Sequence, residues 1–217
     1  MKKINQLIIV ILVAITALLA FYLVQNPVKT TSETAVQAEI QPSQLWIQEH
    51  SPIMGAENAT VTLVEFIDPA CEACRSMYPY VKKVMSTYPN DVRLVLRYVD
   101  FHEQSEEAIR ILEAARKQNL YQEVLEVLLA FQPAWAPHGK EGDDMWEFLT
   151  KTELDIDKAK QDAKDPAIAK IIALDMADFD ASGSKKTPSF FINGKPLKLM
   201  HPDPLLEMIE AEIQAVK

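Results

Sequence analysis

Cys71 and Cys74 are the only two cysteines in a chain of 217 residues, and they stand as Cys71-Glu72-Ala73-Cys74. The apolar run Val61-Thr62-Leu63-Val64-Glu65-Phe66-Ile67 precedes them, and helix-forming sequence from Arg75 to Tyr88 follows. Two thiols delivered by a strand to a helix start suit thiol–disulfide exchange. The partial positive charge of the helix N-terminus stabilises a thiolate at the first cysteine. The second, one turn further in, is placed to attack a mixed disulfide formed on the first. Other chemistries fit less well. A structural disulfide here would close too short a loop to constrain the unfolded chain much. A four-ligand zinc site lacks two ligands, because no further cysteine exists and His50, His102, His138 and His201 are scattered. Haem attachment would require a histidine where Arg75 stands. A two-coordinate Cu(I) site stays open, since soft thiolates suit that ion. The redox reading is preferred, and it calls for neither a metal nor a cofactor.

The elements that must position these thiols are few. Val61–Ile67 and Val92–Tyr98 read as strands, the second alternating with Val92, Leu94, Leu96 and Tyr98 on one face. The helix between them makes a right-handed β-α-β crossover with parallel strands. A helical block follows. Ser105 is expected to cap a helix carrying Ile109, Leu112 and Ala115. Leu120, Val124, Leu128 and Phe131 form a second stripe ended by Pro133. Asp143 and Asp155 open two shorter helices, and Asp165-Pro166 opens one bearing Ile168, Ile171, Ile172 and Phe179, with Gly183 past its end. The chain returns to strand at Ser189–Ile192, turns at Asn193-Gly194, runs on through Leu197–Leu199 and closes with a helix from Asp203-Pro204.

The N-terminus bears on the compartment. Lys2 and Lys3 precede an uninterrupted apolar stretch from Leu7 to Val24, long enough for a spanning helix and longer than most cleaved signals. No small-x-small cleavage site follows closely. An uncleaved anchor over residues 1–24 is therefore expected in preference to a signal peptide whose removal would leave a soluble periplasmic protein. The N-terminus would be cytoplasmic and the body extracytoplasmic, where disulfides persist. Residues 25–51 read as a tether on which Trp46 and Ile47 dock against the body, and residues 52–217 as one domain. The first fifty residues balance in charge, so the formal −9 belongs to the body; nothing basic enough to bind nucleic acid is present.

With the cysteine pair at the front and Thr187-Pro188 before the third strand, this order resembles the thioredoxin fold (β-α-β … β-β-α). The helical insertion of about 80 residues, roughly 102–183, resembles that of the DsbA-like thiol:disulfide interchange proteins. The likeness rests on Val64-Glu65-Phe66, on Asp68-Pro69-Ala70-Cys71 and on Lys186-Thr187-Pro188-Ser189-Phe190-Phe191-Ile192-Asn193-Gly194. It implies that Cys71 is the nucleophile, Cys74 the resolving thiol, and Pro188 a cis-proline preceded by the substrate-contacting Thr187. It also implies that Glu65 is a buried acid relaying a proton with Cys74; otherwise Glu65 is a solvent-facing residue on a half-buried strand. The partners implied are cysteine-containing exported proteins and an unidentified redox partner that resets the site.

One departure bears on direction. Strongly oxidising members carry Pro-His between the cysteines, whereas Glu72-Ala73 stands here. A carboxylate beside Cys71 opposes its thiolate, with Arg75 offsetting this if its side chain folds back. A potential below that of a strong oxidase is expected. A Cu(I)-binding module and a peptide-binding holdase are the competing classes. His102 is read as a loop residue within reach of the site, and Trp135 and Trp146 as core.

Overall fold

The computed structural model describes residues 46–137 and 139–216; the expected anchor, most of the tether and His138 lie outside the described residues. Strands β1 (Ile53–Gly55), β2 (Val61–Ile67), β3 (Val92–Tyr98), β4 (Ser189–Ile192) and β5 (Lys195–Pro196) form one sheet in the order β1-β3-β2-β4-β5. β2 and β3 pair in parallel across the crossover of helix α1 (Glu72–Thr87), as the apolar runs predict, and every other pairing is antiparallel. β1 went unread in the sequence, because three residues carry no periodicity.

Between β3 and β4 stand α2 (Ser105–Arg116), α3 (Tyr121–Trp135), α4 (Met145–Leu149), α5 (Ile156–Asp162) and α6 (Ala167–Ala181), and α7 (Pro202–Ala215) closes the chain. Among the described residues no helix is long and apolar enough to cross a membrane. Several termini differ from expectation. Ser105 is the first helical residue and gives its hydroxyl to Asp68 rather than to a cap. Asp144, not Asp143, caps α4 by accepting from Trp146 N, and His201 caps α7. α3 runs two residues past Pro133. The Trp135 indole N–H donates to Leu128 O, one residue before the carbonyl that the proline leaves without its helical donor. Phe131 faces outward and stacks on Phe148. Asn193 and Gly194, both at positive φ, make the expected hairpin turn. β5 nevertheless ends at Pro196, with one further bond from Leu197 N to Phe190 O, and Leu199 is exposed rather than part of the strand.

Both faces of β2 are buried, as befits a central strand. Leu63 and Ile67 join Cys74, Met77 and Val81 of α1 and the apolar residues of α2–α5 and α7 in the larger core. Val64 and Phe66 face the other way, onto Val95, Phe179 and Phe191, and Trp46 and Ile47 pack on that side as expected. Arg97 of β3 enters this second layer fully buried. Its guanidinium pairs with Asp175 at 2.6 Å and Asp178 at 2.7 Å, and donates to the Trp46 carbonyl. His50 Nε2 lies 2.6 Å from Asp175 Oδ1, and Gln48 Nε2 donates to Asp178 at 2.7 Å. Residues 46–51, assigned to the tether from sequence, are thus fastened to β3 and α6 by a buried charge cluster. Burying charge is tolerated only with such complete pairing.

Candidate active site

Cys71 occupies the N-cap of α1 with extended backbone (φ −81°, ψ 122°), so the helix begins where the thiols were expected to be delivered. It keeps a sliver of exposure (8 %) while Cys74 keeps none, which leaves Cys71 the one an external sulfur can reach. Cys71 Sγ lies 3.4 Å from the carbonyl oxygen of Thr187, across from the helix start. The Thr187–Pro188 bond is cis, as the resemblance implied. Glu72 and Ala73 form the first turn of α1.

The two thiols are driven apart in acidity. A hydrogen bond from Cys74 draws the Cys71 thiol down to about 5 against the opposing effect of burial, helped by Thr187 and by the backbone amides of Cys74 and Ala73. Burial pushes the Cys74 thiol well up, and the neighbouring charges of Cys71 and Glu65 add to this. One thiol is set to be a thiolate at neutral pH and its neighbour to hold a proton. The thiolate expected to suffer from the Glu72 carboxylate is therefore still well stabilised.

Glu65 is the third member. It sits mid-strand on β2 between Leu96 of β3 and Phe190 of β4, fully buried, so the solvent-facing alternative does not hold. Neither carboxyl oxygen has a hydrogen-bond partner. Burial pushes its pKa up to about 8, with the charge on Cys71 adding to the shift. A carboxyl that is protonated near neutrality can exchange a proton with a buried thiol.

Two residues that hold the turn before α1 were not read as functional. Gln132, buried in α3, donates Nε2 to the carbonyls of Pro69 (2.7 Å) and Cys71 (3.0 Å), and its Oε1 accepts from Arg75 Nε at 3.0 Å. Arg75 is thereby engaged with α3. A lone glutamine in an apolar stripe gives no sequence signal of this. Replacing Gln132 with Ala orphans the Pro69 carbonyl and one Arg75 guanidinium N–H, while Cys71 O keeps its bond from Arg75 N. It is expected to lower stability by about 1–3 kcal/mol, read as a drop in denaturant midpoint at unchanged m-value. Asp68, the other residue, is fully buried and accepts from Ala70 N, Phe101 N and Ser105 Oγ, with His102 Nδ1 at 2.7 Å. An Asp-Pro pair reads only as a turn in sequence. Among the described residues no group of three or more metal-ligating side chains gathers.

A strand–thiol–helix unit facing a cis-proline, with a helical block inserted between the halves of the sheet, defines a thioredoxin-fold dithiol protein of DsbA-like build. The family model described as Thioredoxin matches residues 48–211, and the chain belongs to that family. Its structure is similar to a thioredoxin-like oxidoreductase from Silicibacter pomeroyi, with a TM-score of 0.67, 26 % identity, and coverage of 80 % of this chain and 97 % of that one. It is also similar to alpha-DsbA1 of Wolbachia pipientis, with a TM-score of 0.70, 15 % identity, and coverage of 81 % and 96 %. In sequence it is 29 % identical over 146 residues to a Na(+)/H(+) antiporter NhaA of Herminiimonas arsenicoxydans, covering 67 % of this chain and 23 % of the antiporter. The chain thus spans under a quarter of the length of the curated relatives it matches.

Proposed function

We propose that this protein is a thiol:disulfide oxidoreductase that exchanges disulfides with cysteine-containing exported proteins. The observation that carries the reading is the Cys71 thiol at the helix start, drawn down to about 5, beside a buried Cys74 whose thiol is pushed up, and 3.4 Å from the Thr187 carbonyl. In the reducing or isomerising direction the Cys71 thiolate attacks a substrate disulfide. One substrate sulfur becomes bonded to Cys71 and the other leaves as a thiolate. Cys74 then attacks Cys71 Sγ, passing its proton to Glu65 in its carboxylate form, which is favoured once the mixed disulfide has removed the Cys71 charge, and the substrate sulfur bonded to Cys71 departs as a thiolate. In the oxidising direction a substrate thiolate attacks the Cys71–Cys74 disulfide at Cys71, and Cys74 leaves, taking a proton back. Thr187 and Pro188 line the side from which the substrate backbone approaches, and Glu72, Ala73 and Arg75 tune the helix start.

Leu7–Val24 with Lys2 and Lys3 supports a single-pass anchor with a cytoplasmic N-terminus; the site would then work on the extracytoplasmic side and be reset by a separate redox partner. Replacing Cys74 with Ser removes the resolving thiol, so mixed disulfides with exported proteins should accumulate on Cys71. They should be recovered with the membrane fraction and released by dithiothreitol. Absence of such adducts would remove the enzymatic reading.

A further inference from the structure

The buried carboxylate of Asp68 serves the loop after β3 as much as the turn before α1. Oδ1 accepts from Ala70 N (2.9 Å) and Ser105 Oγ (2.5 Å), while Oδ2 accepts from Phe101 N (3.0 Å) and lies 2.7 Å from His102 Nδ1. A carboxylate at Nδ1 keeps a proton there and leaves Nε2 as the edge directed away from Asp68. The ring is one-third exposed and lines a groove of about 1130 Å3 that is also lined by Ala70, the residue before Cys71.

The surroundings are strongly acidic. Cys71 at the N-cap of α1 and Glu72 in its first turn act electrostatically on the ring, and Asp68 touches it. Glu103 and Glu107 line the same groove from the β3–α2 segment and α2. Glu141, Asp143 and Asp144 face it from the loop before α4, where Lys140 is the one cation among the described residues. Burial works against protonation of His102, but the Asp68 hydrogen bond and charge, with Cys71 and Glu72, outweigh it and raise the pKa. These neighbours stabilise the charged form of the ring relative to a free imidazole.

We propose that His102, held by Asp68, is the cationic partner of the Cys71 thiolate, supplying from the loop after β3 a positive charge that Glu72 and Ala73 do not supply between the cysteines. This rests on the reading of Cys71 as an exchanging thiolate. His102 makes no bond to substrate in this scheme; it is a positioning residue acting through charge. Its support is present while the ring is protonated and is lost as pH rises through the His102 pKa. Coupling of this kind is reciprocal. Oxidation of Cys71 removes the thiolate and must lower the His102 pKa by the same factor by which neutral His102 raises that of Cys71.

The test uses the full chain in its oxidised and reduced states, titrated by NMR of the histidine ring protons. His102→Asn assigns the signal and retains a side-chain N–H for Asp68, so the loop keeps its anchor. His102 is expected to titrate at higher pH in the reduced protein, the two ionisation constants differing by about two- to fivefold for charges separated by a partly solvated gap. The pH profile of Cys71 alkylation should move upward by the same factor in His102→Asn. Identical His102 titration in both redox states, or superimposable alkylation profiles, would overturn the proposal while leaving Cys71 as the exchanging thiolate. A wild-type Cys71 that ionises like an ordinary thiol would instead overturn the reading beneath it.

Discussion

Alkylation of the reduced protein at pH 6 is expected to modify Cys71 alone, at a rate that halves near pH 5 and is flat above pH 7. With the thiol drawn down to about 5, nearly all of Cys71 is thiolate at pH 6. An ordinary exposed thiol is ionised there to well under one part in a hundred. That is a gain of roughly 3 × 10² in reactive species, and the lower intrinsic nucleophilicity of a weaker base takes back about 25- to 50-fold. The net advantage is about tenfold over a surface cysteine. Over Cys74, which is both buried and pushed up in pKa, it is far larger. Cys71→Ser should accordingly reduce disulfide exchange to the background rate of the buffer thiols, because a serine hydroxyl stays protonated at neutral pH. Cys74→Ser should keep the acid-shifted alkylation profile, since its hydroxyl can still donate to Cys71, whereas Cys74→Ala should shift the profile upward. A wild-type rate that climbs steadily to pH 9 would contradict this.

Replacing Glu65 with Leu should make the protein more stable and a poorer catalyst. The carboxyl is fully buried with neither oxygen partnered, and such a group costs about 1–3 kcal/mol. Burial pushes its pKa up to about 8 in the folded protein, against an ordinary 4.5. Between those limits the native state holds a proton that the unfolded state has lost. Stability therefore falls as pH rises through this range, by at most about 1.4 kcal/mol per pH unit, and the variant lacks that slope. Oxidised protein shows it most clearly. In reduced protein Cys71, depressed to about 5 from 9.0, contributes a slope of opposite sign that offsets most of it between pH 5 and 8. Removing the proton acceptor should also slow resolution by Cys74, by about 10²-fold if Glu65 acts as a general base. Denaturant unfolding at pH 5, 7 and 9, with stopped-flow resolution of a preformed mixed disulfide, reads both effects. Unchanged resolution would reduce Glu65 to a structural residue.

Much of the site was legible because its parts are local. Two cysteines at a strand–helix junction, an acid six residues upstream and a Thr-Pro before an Asn-Gly hairpin each leave a mark in the sequence, and the fold brings Cys71 to within 3.4 Å of Thr187 O. What escaped is long-range and polar. Gln132 reaches Cys71 O from a helix sixty-one residues away, and His102 meets Asp68 across thirty-four. Neither contact has a periodic or spacing signature. The same applies to Arg97. Alternation alone reads it as the polar face of a strand, yet both faces of β3 are covered and Asp175 and Asp178 of α6 neutralise it. Helix ends slipped for a related reason. Ser105 can cap in isolation, but a buried carboxylate competes more strongly for its hydroxyl. β5 is short, yet Leu197 N still donates to Phe190 O one residue past Pro196, so the missing proline N–H is not what ends it.

Equilibrating the full chain with glutathione redox buffers and reading the Cys71–Cys74 couple tests the central claim most directly. A thiolate of pKa about 5 is less stabilised than that of DsbA, about 3.5, and more than that of thioredoxin, about 7. The midpoint should therefore fall between about −270 mV and about −120 mV at neutral pH, clearly below the upper limit. Because Cys74 binds a proton on reduction while Cys71 does not, the midpoint should drop by about 30 mV per pH unit from pH 5 to 7. A midpoint at or above about −120 mV, or no two-electron couple at all, would contradict the account.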